Sequence, residues 1–512
     1  MNEYEDILYD DFPYEEAHIG RLSTLAHIFA LPTIPIHRCR VLELGCGLGG
    51  HLIPMAEHFP NSQFIGIDLS APQIARGEET IRALDLRNIE LHAMNILDIP
   101  DGLGPFDYII CHGVYSWVPP EVQQKILSIV RQTLSPNGIA YISYNTYPGW
   151  HLRGMMREIL LRETQFAQTK GEKIQRGRDL LELLSLAPGD TKSGGSWLKH
   201  ELSMLESLSD SYLLYEHLAR HNRPLYFKDF AADAARIGLQ YLGDAIFHSM
   251  IPERFGSQAA HAIQSMSNTI VDIEHYMDLL DIRYFRRTLL CHREQVIERS
   301  ISFERLRGLW VSTPLKPNSA TPDVQSDCIE VFDASEHLEL STSLPLLKAA
   351  LVLLAQSYPS AIQFEDLCVH ARSMLGDSSA AELDQERLGK NLLGLFSRNQ
   401  IQLGAHPPPC IPRSGFRPQT SALARLQASR AQPGCTNLRH RNVRVDAFER
   451  ALLSRMDGTR SREDLVDCVM LDIEAGKVSV ELNGAPCAER SVIAEVSEKK
   501  LQSLAHSAFV LG

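Results

Sequence analysis

Glu43, Gly45, Gly47 and Gly49, in the run Val41-Leu-Glu-Leu-Gly-Cys-Gly-Leu-Gly-Gly50, and Asp68 further on are the residues around which chemistry can be built. Glycines at alternate positions free the backbone for a tight turn and let it approach a ligand closely. Val41–Leu44 ahead of them reads as a short buried strand. Leu52, Ile53 and Ala56 behind them fall at helical spacing. A glycine loop at a helix N-terminus aims unsatisfied N–H groups outward, which suits a nucleoside-bearing ligand. Asp68 closes a second strand, Gln63–Asp68, and a carboxylate there can accept both hydroxyls of a ribose. Two ligand classes fit. Gly45, Gly47 and Gly50 satisfy the dinucleotide pattern G-x-G-x-x-G, whereas Glu43 makes the longer E-x-G-x-G-x-G.

The second spacing resembles the first motif of class I S-adenosylmethionine (SAM) methyltransferases. The charges agree with that resemblance. SAM lacks a pyrophosphate but carries an ammonium and a sulfonium, which favour acidic and carbonyl groups; its carboxylate can use the helix N-terminus. The resemblance implies cofactor-binding roles for Tyr14, Glu43, Gly45, Cys46, Gly47, Gly49, Asp68, Leu69, Asn95, Ile96 and His112. At the Asn95 position the family usually has an acid that holds the adenine amino group. The side-chain carbonyl of Asn95 can accept the same bond, with Ile96 packed on the base. Asp98 is a second candidate, set against a plain turn role. Tyr9, Phe12, Pro13 and Tyr14 precede a predicted helix over Arg21–Phe29, and in the family such a leading segment often covers the cofactor. His18 either lines that site or caps the helix.

The acceptor end is read from two aromatic clusters. Phe106–Cys111 is the fourth strand, and His112-Gly-Val-Tyr-Ser-Trp117 follows it. In open α/β sheets ligands bind beyond the carboxyl ends of the strands. The fifth strand, Ile139–Ser143, leads into Tyr144-Asn-Thr-Tyr-Pro-Gly-Trp150. Aromatic rings attract a cation and an amide accepts its N–H. His112, Tyr115, Trp117, Tyr144 and Asn145 are therefore the expected catalytic residues, with His112 as a proton acceptor. A structural lid packed by its own aromatics is the alternative.

The strings HGVYSWVP, SYNTYPGWHLRGMMRE and NRPLYFKDFAADAARIGLQYLGDA resemble methyltransferases that carry a methyltransferase regulatory domain. Rickettsial protein-lysine methyltransferases that modify an outer-membrane protein belong to that group. The likeness covers roughly residues 9–295 and continues more weakly beyond. It implies a SAM-dependent protein-lysine N-methyltransferase acting on a bacterial surface protein. A small-molecule methyltransferase and a SAM-binding scaffold without catalysis stand as alternatives. The N-P-P-Y type motif of many amino-methylating enzymes is replaced by His112-Gly-Val-Tyr115, which leaves nitrogen as the acceptor open.

These residues need an α/β sheet to position them. The reading is a class I methyltransferase (Rossmann-like) seven-stranded sheet with a helical insertion, then a winged-helix-like module and a small C-terminal α/β module. The expected divisions are 1–165 for the SAM-binding core with strands one to five and 166–300 for the helical insert and regulatory region completing the sheet. A linker and the winged-helix-like module take 301–411, and a docking module takes 412–512. Strands six and seven are expected at Leu239–Phe247 and Tyr284–Cys291, and a turn at Ser135–Gly138. His217 and His221, one helical turn apart, are expected on a helix surface.

At 512 residues, 44% hydrophobic and 22% charged, the chain has the make-up of an ordinary globular protein of several domains. A formal net charge of −13 speaks against nucleic-acid and membrane-surface partners. The ten cysteines form no C-x-x-C pair and no metal-finger spacing. No metal is expected, and the acidic N-terminus carries no secretory run. A cytoplasmic location is expected, with a lysine-bearing protein (or a small acceptor) and a second copy of the chain as candidate partners.

Overall fold

The computed structural model describes residues 12–32, 34–100, 102–186, 201–205, 209–219, 221–335, 338–376, 382–482 and 485–512. Tyr9 and the Gly189–Gly195 loop lie outside the described residues. Seven strands form one sheet: β1 (Arg40–Leu44), β2 (Gln63–Asp68), β3 (Ile89–Ala93), β4 (Phe106–Cys111), β5 (Leu134–Asn145), β6 (Leu239–Asp244) and β7 (Phe285–His292). Their order is β3-β2-β1-β4-β5-β7-β6. The first five run parallel, and β7 is antiparallel to both β5 and β6. A parallel sheet is covered on both faces, so its strands read as nearly continuous apolar runs. Val41, Tyr108 and Ile110 join one core; Leu42, Leu44 and Ile109 join the other.

On the first face lie α1 (Ile19–Ile28), α2 (Leu52–His58) and α3 (Ala71–Ala83). On the second lie α4 (Pro120–Thr133) and the helix Phe227–Arg236. Pro120 opens α4, where its missing N–H costs nothing. Ser70 is at the N-cap position of α3, but its side chain makes no capping bond. The turn expected at Ser135–Gly138 is absent. The chain passes from Thr133 straight into β5, and a register shift between the Phe106 and Tyr108 pairings absorbs the extra residues.

Between β5 and β6 comes the insertion, opened by α5 (Gly149–Thr164) and α6 (Lys170–Ser185). Met156, Leu160, Leu181, Leu205 and Leu213 give it a core of its own. His217 ends a π-helical turn, Leu213–His217, and is buried, where burial pushes its pKa down to about 3. His221 is exposed beyond that turn, so the two histidines share no helix face. The expectation of surface residues fails for His217 because the turn packs against the insert's own leucines.

The second half holds helices Pro345–Ser357, Phe364–Met374 and Glu382–Ser397 beside a small sheet of Ile362–Gln363, Trp310–Ser312 and Gln402–Gly404. Within 301–411, where a linker is expected ahead of the module, Lys316–Pro317 forms a strand paired with Glu330–Ser335. This region joins the sheet's first core, and Phe247 stacks on Phe396 at 4.5 Å. Helices Ala422–Ser429, Ala447–Leu453, Arg462–Glu474 and Arg490–His506 build a separate core around Phe448, Leu452, Leu465 and Leu501. Among the described residues no helix is long and apolar enough to cross a membrane.

Candidate active site

The turn after β1 is held from below. Gly45 and Cys46 both donate backbone N–H bonds to the Ile67 carbonyl, at 2.7 and 3.1 Å. Gly45, Gly47 and Gly49 all have positive φ. At Gly45 (φ +78°) a Cβ would collide with Val114 Cγ2, so the loop lies directly against the segment that follows β4. Glu43 and Cys46 are buried. Asp68 accepts from Gly47 N at 3.0 Å and from Ser70 N at 2.8 Å. Burial raises its pKa against the pull of those bonds. Leu69 and Leu97, at the ends of neighbouring strands, are exposed apolar side chains, and Ile96 is half-buried beside them. Buried Glu43 and half-buried Asp68 next to an uncovered apolar ledge fit a nucleoside cofactor that carries positive charge: carboxylates for hydroxyls and ammonium, Leu69 and Ile96 for a base. Asn95 departs from the expectation in one respect. Its side-chain oxygen already accepts from Leu97 N at 2.9 Å and caps the short turn Ile96–Asp98.

Beyond β4 the structure gathers a cluster around His112. Its Nδ1 lies 2.8 Å from the Tyr141 hydroxyl. The Tyr14 ring stacks on it at 3.8 Å, and Phe285 meets it edge-on at 6.0 Å. Arg287 lies over Phe285 and pairs with Glu16 at 3.9 Å. Burial, with Arg287 nearby, pushes the His112 pKa down to about 3. A ring that holds its proton so weakly is a poor acceptor for one from an amine. The expected base role thus loses its physical support, while a neutral hydrogen-bonding role keeps it.

A second wall stands on the other side. Trp117 is half-buried and meets Trp150 at 6.0 Å, near perpendicular. Asn145 Nδ2 donates to Asn222 Oδ1 at 3.3 Å, and Asn145 N donates to Ser116 Oγ at 2.8 Å. Residues 222–226 of the regulatory region run beside the end of β5 through Leu225 and Thr146.

Two of the five expected catalytic residues are elsewhere. Tyr115 and Tyr144 are fully buried. Tyr144 stacks on Phe230 at 4.3 Å and bonds Thr288 Oγ1 at 3.0 Å; Tyr115 packs edge-on against Phe230 at 5.4 Å. Both belong to the core beneath the mouth. The sequence held the signal. Successive residues of a strand point to opposite faces, so Tyr144 and Asn145 cannot both face the same mouth. The same alternation puts Tyr141, Ser143 and Asn145 on one side. Tyr141, Ser143 (which accepts from Gly113 N at 2.8 Å), Phe285, Arg287 and Glu16 were not singled out from sequence. His18 settles as a cap: its Nδ1 accepts from Gly20 N at 3.1 Å at the start of α1.

The fold and this site define a class I methyltransferase. Residues 42–140 match the model of a methyltransferase domain, residues 209–292 that of a predicted methyltransferase regulatory domain, and residues 417–509 that of the PKMT C-terminal winged helix domain. The last match falls where the sequence reading expects a docking module. An uncharacterized Rickettsia prowazekii protein, RP789, is 33% identical over 514 residues, covering 98% of this chain and 91% of its own. A second, RP028, is 38% identical over 234 residues, 46% of this chain and 94% of its own. The structure of PKMT2 from Rickettsia typhi superposes with a TM-score of 0.90 at 30% identity, covering 98% of this chain and all of that one. The same protein in complex with AdoHcy gives 0.89. The chain belongs to the SAM-dependent methyltransferases with a regulatory domain, the family of these rickettsial proteins, and its cofactor is SAM.

Proposed function

We propose that this enzyme methylates the ε-amine of a lysine presented by a protein. The observation that carries the reading is the end-to-end likeness to R. typhi PKMT2, which extends through the C-terminal winged helix. The two walls are the local support. Half-buried Trp117, backed by the buried Trp150, offers a ring to a cation, and the Asn145–Asn222 amide pair beside it offers an oxygen to its N–H groups. Bound SAM supplies an electrophilic methyl group and a neutral thioether as leaving group. The nitrogen lone pair forms the new C–N bond as the S–CH3 bond breaks, its electrons passing to sulfur.

The protein's share is placement and desolvation. An ammonium must lose its proton before it can attack, and burial among rings favours the neutral amine. The proton leaves to solvent before the lysine is enclosed, so no side chain with a matched pKa is required. Glu43 and Asp68 hold the cofactor end, Gly45–Gly49 shape its turn, and His112 borders the methyl group as a neutral ring. Incubation with methyl-labelled SAM and a bacterial lysate tests this. Methyl-lysine in a labelled protein band is the expected result; label found only in the small-molecule fraction, or binding without transfer, would reject the lysine reading.

A further inference from the structure

Tyr14 reaches the site from a strap, Phe12–Ala17, that precedes α1. Its ring covers His112 beyond β4, and its backbone N–H donates to Nδ1 of His51 at 3.2 Å. His51 directly follows the glycine run, so the strap spans from the cofactor turn to the end of β4. The strap does not hold itself there. The next residue, Glu15, accepts from Arg441 Nε at 2.5 Å and from Gln402 Nε2 at 3.2 Å. His440 Nε2 lies 2.8 Å from the same His51 Nδ1 that takes the Tyr14 N–H. Because the Tyr14 N–H donates to Nδ1 of His51, that nitrogen is the unprotonated one, and His440 Nε2 meets its single lone pair as a donor.

His440 and Arg441 sit in the loop between the paired strands Gly434–Thr436 and Asn442–Arg444 of the C-terminal domain. The loop is built to present them. Asn437 Oδ1 accepts from the backbone N–H of both Arg439 and Arg441, at 3.0 and 2.9 Å. Arg439 anchors it to Gln402 and to the Pro359 carbonyl. His440 itself is left-handed, at φ +59°. A non-glycine residue in that region is strained, and such strain persists where surrounding contacts impose it.

We propose that the C-terminal domain is a working part of the cofactor site: His440 and Arg441 are positioning residues that latch the strap so that Tyr14 closes over bound SAM. Neither touches the reacting atoms. The inference rests on the cofactor site built from Glu43, Asp68 and His112.

The test uses the full chain and calorimetric titration with SAM. Glu15→Arg and Arg441→Glu each raise Kd at least fivefold, and the charge-swapped pair Glu15→Arg/Arg441→Glu returns it to within twofold of wild type. In turnover, KM for SAM rises in the single variants while kcat at saturating SAM and the ligand-free melting temperature hold. An Arg441→Glu variant that binds SAM like wild type while Asp68→Ala does not overturns the latch and leaves the cofactor site standing. Loss of neither affinity would reject the cofactor site as well. A fall in kcat and melting temperature with KM unchanged also overturns the latch, because it marks a structural contact. If the charge reversals prevent folding, His440 decides. His440→Ala weakens SAM binding and His440→Gln, which keeps an N–H toward His51, restores it; equal affinity in both would refute the role.

Discussion

Asp68 carries two loads, and they separate on substitution. Its carboxylate holds the turn through Gly47 N and Ser70 N, and in the proposed reading the same carboxylate also receives the ribose of the cofactor. Asp68→Ala is expected to weaken SAM at least tenfold, about 1.4 kcal/mol, by calorimetry. Tyr144 shows the opposite case. Its hydroxyl bonds Thr288 inside the core, so Tyr144→Phe should cost about 1 kcal/mol of stability in urea unfolding and leave the transfer rate within about twofold. Asn145→Ala removes the buried amide that holds Asn222 and should, in the proposed reading, slow transfer roughly ten- to hundredfold at saturating SAM. With its pKa near 3, His112 stays neutral across the working range. His112→Gln should therefore leave the midpoint of the acid limb of the pH–rate profile where it is in wild type.

At the scale of elements, the succession of strands along the chain was readable because each is an apolar run ended by a turn signal or an acid. Gln63–Asp68 and Phe106–Cys111 agree with their predicted ends, and β6 and β7 close the sheet across the insertion as expected. What fastens β7 was hidden. Arg286 is fully buried and pairs with Glu274 at 2.9 Å and Asp278 at 2.7 Å, both on the helix Ile270–Asp281. Removing one partner of a buried pair leaves charge without compensation. Arg286→Ala is expected to lower stability by roughly 3–5 kcal/mol in denaturant unfolding. The mouth depends on this element, since Phe285 and Arg287 flank the same residue.

For the whole molecule, buried histidines tie stability to pH. Burial holds the pKa of His217 at about 3 and pushes those of His51 and His440 well down. In the unfolded chain each titrates near the ordinary histidine value of about 6.5. The unfolded state therefore binds more protons as pH falls below that value. Their stabilising contribution is complete above about 6.5 and is lost as acid is added, by up to about 1.4 kcal/mol per pH unit for each ring, until the folded pKa is reached. The melting temperature should drop between pH 7.5 and 5, and His217→Asn should shrink that drop. His217 sits in the insert, His51 beside the cofactor turn and His440 in the C-terminal domain, so acid strains three parts of the fold together.

The amino-acid sequence determined the local features: the strand–glycine turn–helix unit, the acid that ends β2, the seven strands and the helical insertion. Each depends on residue type and spacing along a few turns of chain. Which face a side chain takes at a strand end, and which distant residue meets it, was decided by tertiary packing. Both side chains are buried, but Tyr144 turned onto Phe230 while Asn145 turned toward Asn222, because a period of two separates neighbours and only the packed sheet shows which face is which. The meeting of Glu15 with Arg441, and of His51 with His440, joins residues hundreds of positions apart. No periodicity records such a pairing; it exists once the two ends of the chain have been folded against each other.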